Sequence, residues 1–325
     1  MNRPLAATLV SVVLAFTLLS SPDGIAQSSQ GRPVRLIVPT GPAGLTDAMG
    51  RVLAPSFARA LGQPVIVENK PGASGIVAFE YVAKQVPPDG LTLLLGNQAL
   101  ILVHLFTKDL RFDPVKDLPP VSVLLDGVLM MEASIASPFN TFSEMLAYAK
   151  ANPGKINGGA IGAQGLQALY WEAIKQVQGI DLVTVAYKSG PDVYAALYSN
   201  QVQLAVVNEA QARNDFKSGR AKILAVSHDK RLAEFPNVPT LAEVGHPDIT
   251  NFWLSMNVTA GTPSATVSRL HAAVRAAMQE AEFREFAAKG LMRIVAAPPD
   301  VSEKMLASEA KFYATVAQKA GIKPQ

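Results

Sequence analysis

The chain has 325 residues, 49% of them hydrophobic, a formal net charge of +3 and no cysteine. The lack of cysteine excludes disulfides, thiol catalysis, cysteine metal sites and a lipid-modified cysteine. The basic residues are scattered, with no stripe interleaved with aromatics, so nucleic acid is not expected as a partner.

Residues 1–26 read as a signal peptide: Arg3 gives a positive start, Leu5 to Leu19 an apolar middle, and Gly24-Ile25-Ala26 a small-x-small cleavage site before Gln27. The apolar stretch is shorter than the ~20 residues that cross a bilayer, so a cleaved leader and a periplasmic protein are expected. Removing it takes away Arg3 and Asp23 together and leaves the net charge unchanged. The remaining length lies near the point where one core divides in two, so two domains held by their cores alone are expected.

Val34 to Pro39 predicts a strand, Thr40 to Leu45 a Gly/Pro-rich loop, and Met49, Val52, Leu53, Phe57 and Leu61 the apolar stripe of a helix that stops at Gly62. Val65-Ile66-Val67 is the next strand. Such a βαβ unit offers small ligands the loop after its first strand and the N-terminus of its helix, which suits an anionic solute. A second glycine-rich turn, Asn69 to Gly75, enters a helix carrying Val77, Tyr81 and Val82, and the strand Leu91 to Leu95 runs into Gly96-Asn97-Gln98. Three strands thus end in glycine or polar loops at one edge of one sheet.

Asp113 to Val123 is Pro-rich and reads as a crossing between domains. The second half then repeats the pattern. Val128 to Met131 is a strand, and a helix capped by Thr141 or Ser143 carries Phe142, Met145, Leu146 and Ala149. Ile156 to Ala160 leads into Gly162-Ala163-Gln164-Gly165 and a helix through Gln178. Asp181 to Val185 is a strand ending at Tyr187, and Val202 to Val207 another ending at Asn208-Glu209. Ile223 to Val226 is a strand, Pro236 to Pro247 an irregular return, and Phe252-Trp253-Leu254 a returning strand. Helices with Val267, Leu270, Val274 and Met278, and from Ser302 to Ala320, close the chain. The expected fold is α/β with two lobes, each a mostly parallel sheet flanked by helices: residues 27–126 with 249–325 form the first lobe and 127–248 the second.

There is no G-x-S-x-G elbow, no phosphate loop and no H-E-x-x-H. His104, His228, His246 and His271 have no metal-ligand spacing, and His271 reads as a surface residue. No cofactor and no metal are expected. Asp47, in the first turn of its helix, suits the dipole, or organises the loop or ligand. Tyr187 is either a pocket wall or a packing residue, Asn208 either a turn former or a ligand hydrogen bond, and Glu209 solvated. Of Phe252 and Trp253, one faces the core and the other can face the cleft.

Taken together, Pro33-Val34-Arg35-Leu36-Ile37-Val38-Pro39, Thr46-Asp47, Leu61 to Gly75, Asp89 to Gly96, Ala151-Asn152-Pro153-Gly154-Lys155, Tyr187-Lys188, Gln201-Val202-Gln203-Leu204, Pro236 to Thr240 and Ala260 to Pro263 resemble the substrate-binding proteins of tripartite tricarboxylate transporters, often called the Bug family. The resemblance covers nearly all of the chain beyond the leader. It implies a type II periplasmic-binding-protein (Venus-flytrap) fold that closes on a carboxylate and delivers it to membrane permease subunits, without catalysis.

In that family the first loop, commonly Pro-Gly-Gly-x-x-Asp, grips a carboxylate through backbone groups and waters. Here it reads Pro42-Ala43-Gly44-Leu45-Thr46-Asp47, with Ala43 in place of a glycine. The second-lobe loop, Gly159 to Ala168, lacks the usual hydroxyls and histidine. Val206-Val207-Asn208 lacks the usual Asp, and Tyr187-Lys188-Ser189-Gly190 swaps the usual Gly-Ser order. Fewer side-chain partners imply a more apolar pocket, and unpaired ligand hydroxyls there cost about 1–3 kcal/mol each.

The expected ligand is therefore a carboxylate with an aromatic or aliphatic body, in preference to citrate, held by a monomeric receptor. The expected ligand contacts are Gly41, Pro42, Ala43, Gly44, Thr46 and Asp47 in the first loop, Ser74, Asn97 and Gln98 in the next two, and Gly162, Ala163, Gln164, Tyr187, Asn208 and Trp253. The rival functions are a secreted hydrolase on a similar frame, which needs a nucleophile and a partnered base, and a sensing receptor that signals to another protein.

Overall fold

The computed structural model describes residues 31–163, 165–246 and 251–324. The signal peptide, Gln164 and the lobe boundary drawn between residues 248 and 249 lie outside the described residues.

The first sheet starts as the sequence predicts. β1 (Val34–Val38), α1 (Leu45–Leu61), β2 (Val65–Asn69), α2 (Ile76–Lys84) and β3 (Thr92–Asn97) follow in order. β1 pairs in parallel with both β2 and β3, so the three carboxyl ends share one edge. α1 buries Met49, Leu53 and Phe57 against this sheet, and Gly62 ends the helix at φ 68°, its N–H returning to the Ala58 and Arg59 carbonyls.

Two departures from the sequence reading bear on the cavity and on the crossing between lobes. The run Ala99 to Phe106, given no structure there, is helix α3. Its eight residues include six buried apolar ones, so no amphipathic period marks it. The Pro-rich stretch read as a domain crossing contains the start of β4 (Pro120–Gly127), with Val121 and Val123 fully buried. Proline fits there because it opens the strand, where no ladder donor is needed. The crossing itself falls at Gly127-Val128.

The second sheet is built from β5 (Leu129–Ser134), α4 (Phe142–Ala151), β6 (Asn157–Ile161), α5 (Leu166–Gln178), β7 (Val183–Tyr187), α6 (Gly190–Tyr198), β8 (Leu204–Asn208), α7 (Glu209–Lys217) and β9 (Ala221–Val226). Thr141 caps α4, its side chain accepting the Glu144 N–H at 3.1 Å. The chain returns to the first sheet with β10 (Phe252–Asn257), then α8 (Ser264–Ala277), α9 (Ala281–Lys289), β11 (Met292–Ile294) and α10 (Pro299–Lys319).

The strand orders are β11-β4-β10-β3-β1-β2 and β7-β6-β8-β5-β9. Setting aside the edge strand β11, the two sheets share one plan: three parallel strands, one reversed strand, and a fifth running with the first three. In each sheet the reversed strand, β10 or β5, is the one that arrives by crossing from the other lobe. This is the two-lobed α/β arrangement expected from the repeated βα pattern.

α1, α8 and α9 cover one face of the first sheet, and α2 and α3 the other. α6 and α7 cover one face of the second sheet. A larger core joins Ile101 and Val123 of the first lobe to Met131, Leu169 and Trp171 of the second through Leu306, Tyr313 and Val316 of α10. The carboxyl-terminal helix, counted with the first lobe in the sequence reading, therefore packs on both.

Candidate functional site

The carboxyl ends of β1, β2 and β3 face those of β6, α5's first turn and their loops across a cavity of about 860 Å³. Pro39, Thr40, Ser74, Asn97 and Gln98 line it from the first lobe, and Ile161, Gly162, Ala163, Gly165 and Leu166 from the second. No ionisable side chain is among its described lining residues.

Compensation for a negative charge must then come from the backbone. α2 and α5 begin at Gly75 and Gly165, neither helix having a side-chain cap, and both starts line the cavity. α3 begins there as well, with Asn97 Oδ1 accepting the Ala99 N–H at 3.0 Å. Helix N-termini favour anions by about 0.3–1 kcal/mol each. The approach to α2 is left-handed from Gly72 through Gly75, and Ala73 (φ 45°) and Ser74 (φ 55°) hold this conformation without being glycine. Non-glycine residues there are strained by about 1 kcal/mol or more each, a cost that concentrates at ligand sites. Gly165 is required by contact: a Cβ at that position would lie 2.3 Å from the Ile161 carbonyl oxygen. Thr40 Oγ1 is buried without a hydrogen-bond partner among the described residues.

The first loop is organised by Asp47, which is buried. Its carboxylate accepts the Ala43 N–H at 2.9 Å, the Asn69 amide at 2.9 Å and the Arg51 guanidinium at 2.9 Å. Arg51, then Asn69 and Ala43, hold its pKa down at about 2. Asn69 also donates to the Thr40 carbonyl at 3.0 Å, so Asp47 fixes the path of the chain into the cavity without lining it. Gly41, Pro42, Ala43, Gly44 and Thr46 are likewise outside the lining.

Three further expected contacts lie elsewhere. Tyr187 ends β7 with its carbonyl accepting the Gly162 N–H at 2.9 Å, while its ring packs half-buried beside α6. Asn208 caps α7, accepting the Gln211 N–H at 2.9 Å. Trp253 is buried, donates from Nε1 to Glu309 at 2.5 Å and lines a separate hollow with Arg293 and Phe312. Glu209, read as solvated, is buried and paired with Arg213 at 2.6 Å. His271, read as a surface residue, is half-buried on α8, and burial lowers its pKa.

Sequence reasoning missed the apolar wall. Ala99, Leu102, Val103 and Phe106 of α3 line the cavity with Ile76 and Phe79 of α2, and so does Thr107, which follows α3. The only signal was the run Ala-Leu-Ile-Leu-Val-His-Leu-Phe directly after the Asn97-Gln98 loop.

Among known proteins, the family described as the tripartite tricarboxylate transporter family receptor matches residues 49–322. A UPF0065 protein of Bordetella pertussis is 35% identical over 272 residues, covering 83% of each chain. An R. palustris protein solved with adipate has a TM-score of 0.74 at 26% identity, covering 92% of this chain and 100% of its own. MatC from Rhodopseudomonas palustris, solved with bound malate, has a TM-score of 0.71 at 25% identity, covering 88% of this chain and 98% of its own. Likeness in sequence and in fold thus runs through both sheets and the loops between them, and the chain belongs to the receptors of tripartite tricarboxylate transporters, which bind substrates and do not transform them.

Proposed function

We propose that this protein is a monomeric periplasmic receptor that captures a small carboxylate with an aromatic or aliphatic body and presents it to membrane permease subunits. One observation carries the reading: the cavity offers helix N-termini and neutral polar groups at the loops, apolar side chains beyond them, and no ionisable lining side chain among the described residues. A carboxylate suits the first set. The second set leaves polyhydroxylated or tricarboxylic ligands with unpaired groups, at about 1–3 kcal/mol each. The relatives solved with adipate and malate support carboxylate capture in this fold.

Ser74, Asn97, Gln98, Gly162 and Ala163 are the ligand contacts in this reading, joined by Thr40. Asp47 with Gly41 to Thr46 acts as the support that shapes the first loop. The moving bodies are residues 27–126 with 249–325, and 127–248, after removal of residues 1–26. Closure of one on the other would couple binding to delivery.

Calorimetry of the mature chain with citrate, a linear dicarboxylate and a benzoate-type acid tests the proposal. The expected result is micromolar or tighter binding of an acid with an apolar body and weak binding of citrate. Citrate binding tightest, or no acid binding at all, would overturn it.

A further inference from the structure

The apolar part of the cavity is ordered along a single helix. Ala99, Leu102, Val103 and Phe106 are spaced three and four apart, so they form one face of α3, and all four line the cavity. Ile76 and Phe79, three apart on α2, line it as well. The polar groups gather at the other end, where α3 starts: Asn97, Gln98 and Ser74, with Thr40 contributing a buried hydroxyl that has no partner among the described residues. An eight-residue helix is about 12 Å long. The cavity therefore has a polar head and an apolar channel beside α3, ending at Thr107.

Resting on the carboxylate reading above, we infer that the face of α3 formed by Ala99, Leu102, Val103 and Phe106 is a binding channel for the unbranched or flat apolar arm of a monocarboxylate, with Phe106 and Thr107 setting the longest arm accepted. The charge distribution distinguishes one acid group from two. The head has the N-termini of α2 and α3 to receive one carboxylate. A second carboxylate, at the far end of a linear diacid, would lie beside Leu102 and Phe106, where no described lining side chain carries a charge. Burying an unpaired carboxylate is strongly unfavourable. An apolar terminus gains from the same surroundings. An extended chain advances about 1.2 Å per bond, so the channel takes an arm of about six to ten carbons.

The test is calorimetric titration of the mature chain with butanoate, hexanoate, octanoate, decanoate and 3-phenylpropanoate, beside adipate and suberate as diacids and octylamine as a head-group control. Affinity is expected to rise about fourfold per added methylene up to the channel's limit and then to level or fall. Suberate is expected to bind at least a hundredfold more weakly than octanoate. Thr107→Phe, at a half-buried position, should shorten the longest acid accepted, and Phe106→Ala should lengthen it. If suberate or adipate outbinds the monoacid of equal length, or if neither variant moves the length limit, the channel assignment is wrong while carboxylate capture stands. If octylamine binds as well as octanoate, or no acid binds, the carboxylate reading itself fails.

Discussion

Two single residues show how local strain and contact shape the cleft. Ala43 holds φ at 67°, a conformation that glycine adopts freely, and its N–H is tied to Asp47. Ala43→Gly should raise stability by about 1 kcal/mol or less, since relief of strain is partly offset by the greater freedom of glycine in the unfolded chain. Differential scanning calorimetry checks this, and a lower melting temperature would contradict it. Gly165→Ala acts in the opposite sense. Its new Cβ would press on the Ile161 carbonyl oxygen from 2.3 Å, a main-chain atom that cannot rotate aside. We expect a loss of about 1–3 kcal/mol in denaturant unfolding, and weaker acid binding because α5's first turn must shift. Unchanged stability would show that the β6–α5 turn is more compliant than this contact implies.

At the level of strands and helices, β5 carries an unusual side chain. Glu132 is fully buried between β8 and β9, beneath α6 and α7, and neither carboxylate oxygen has a hydrogen-bond partner among the described residues. Burial, reinforced by nearby Asp215, raises its pKa from 4.5 to about 8. Between those values the unfolded chain releases a proton that the folded chain keeps, so this group makes stability fall as pH rises through the window. Glu132→Gln removes the titration. Melting temperatures of variant and parent should nearly agree near pH 5 and separate toward pH 8, with the variant higher by an amount equivalent to a few kcal/mol. Parallel pH profiles would rule out this assignment.

The elements that sequence revealed, and those it concealed, divide on the same physical ground. α1 was legible because Met49, Leu53 and Phe57 lie on one stripe and Gly62 stops the helix. α3 was not, because burial on several sides removed any period, and with it went the apolar half of the site. Asn97, Gln98 and Ser74 were legible as loops at strand ends, since parallel pairing brings such ends together whatever the loops contain. Trp253 was placed at the cleft because alternation along a strand gives two faces without saying what covers each. Here α10 covers the Trp253 side through Glu309. That contact spans fifty-six positions, and no local pattern could announce it.

For the whole molecule, the crossings between lobes are tied to one another and to the cavity. Gln98 donates to the Asn251 carbonyl at 3.1 Å, and Ser227 Oγ donates to Asn251 Oδ1 at 2.8 Å. Leu129 N–H in turn donates to Ser227 Oγ at 2.8 Å. Ser227→Ala leaves the Leu129 N–H and the Asn251 amide short of a partner. It should lower stability by about 1–3 kcal/mol and weaken acid binding, although Ser227 does not line the cavity. Equilibrium unfolding and calorimetry measure both, and a variant that loses stability at unchanged affinity would separate the crossing from ligand capture. Because β10 is wedged between β3 and β4, those strands have nothing to join them until residues beyond 250 are made, whereas residues 129–226 already contain every strand of their own sheet. A ribosome reading from the amino end therefore completes the strands of the second-begun lobe first and those of the first-begun lobe last.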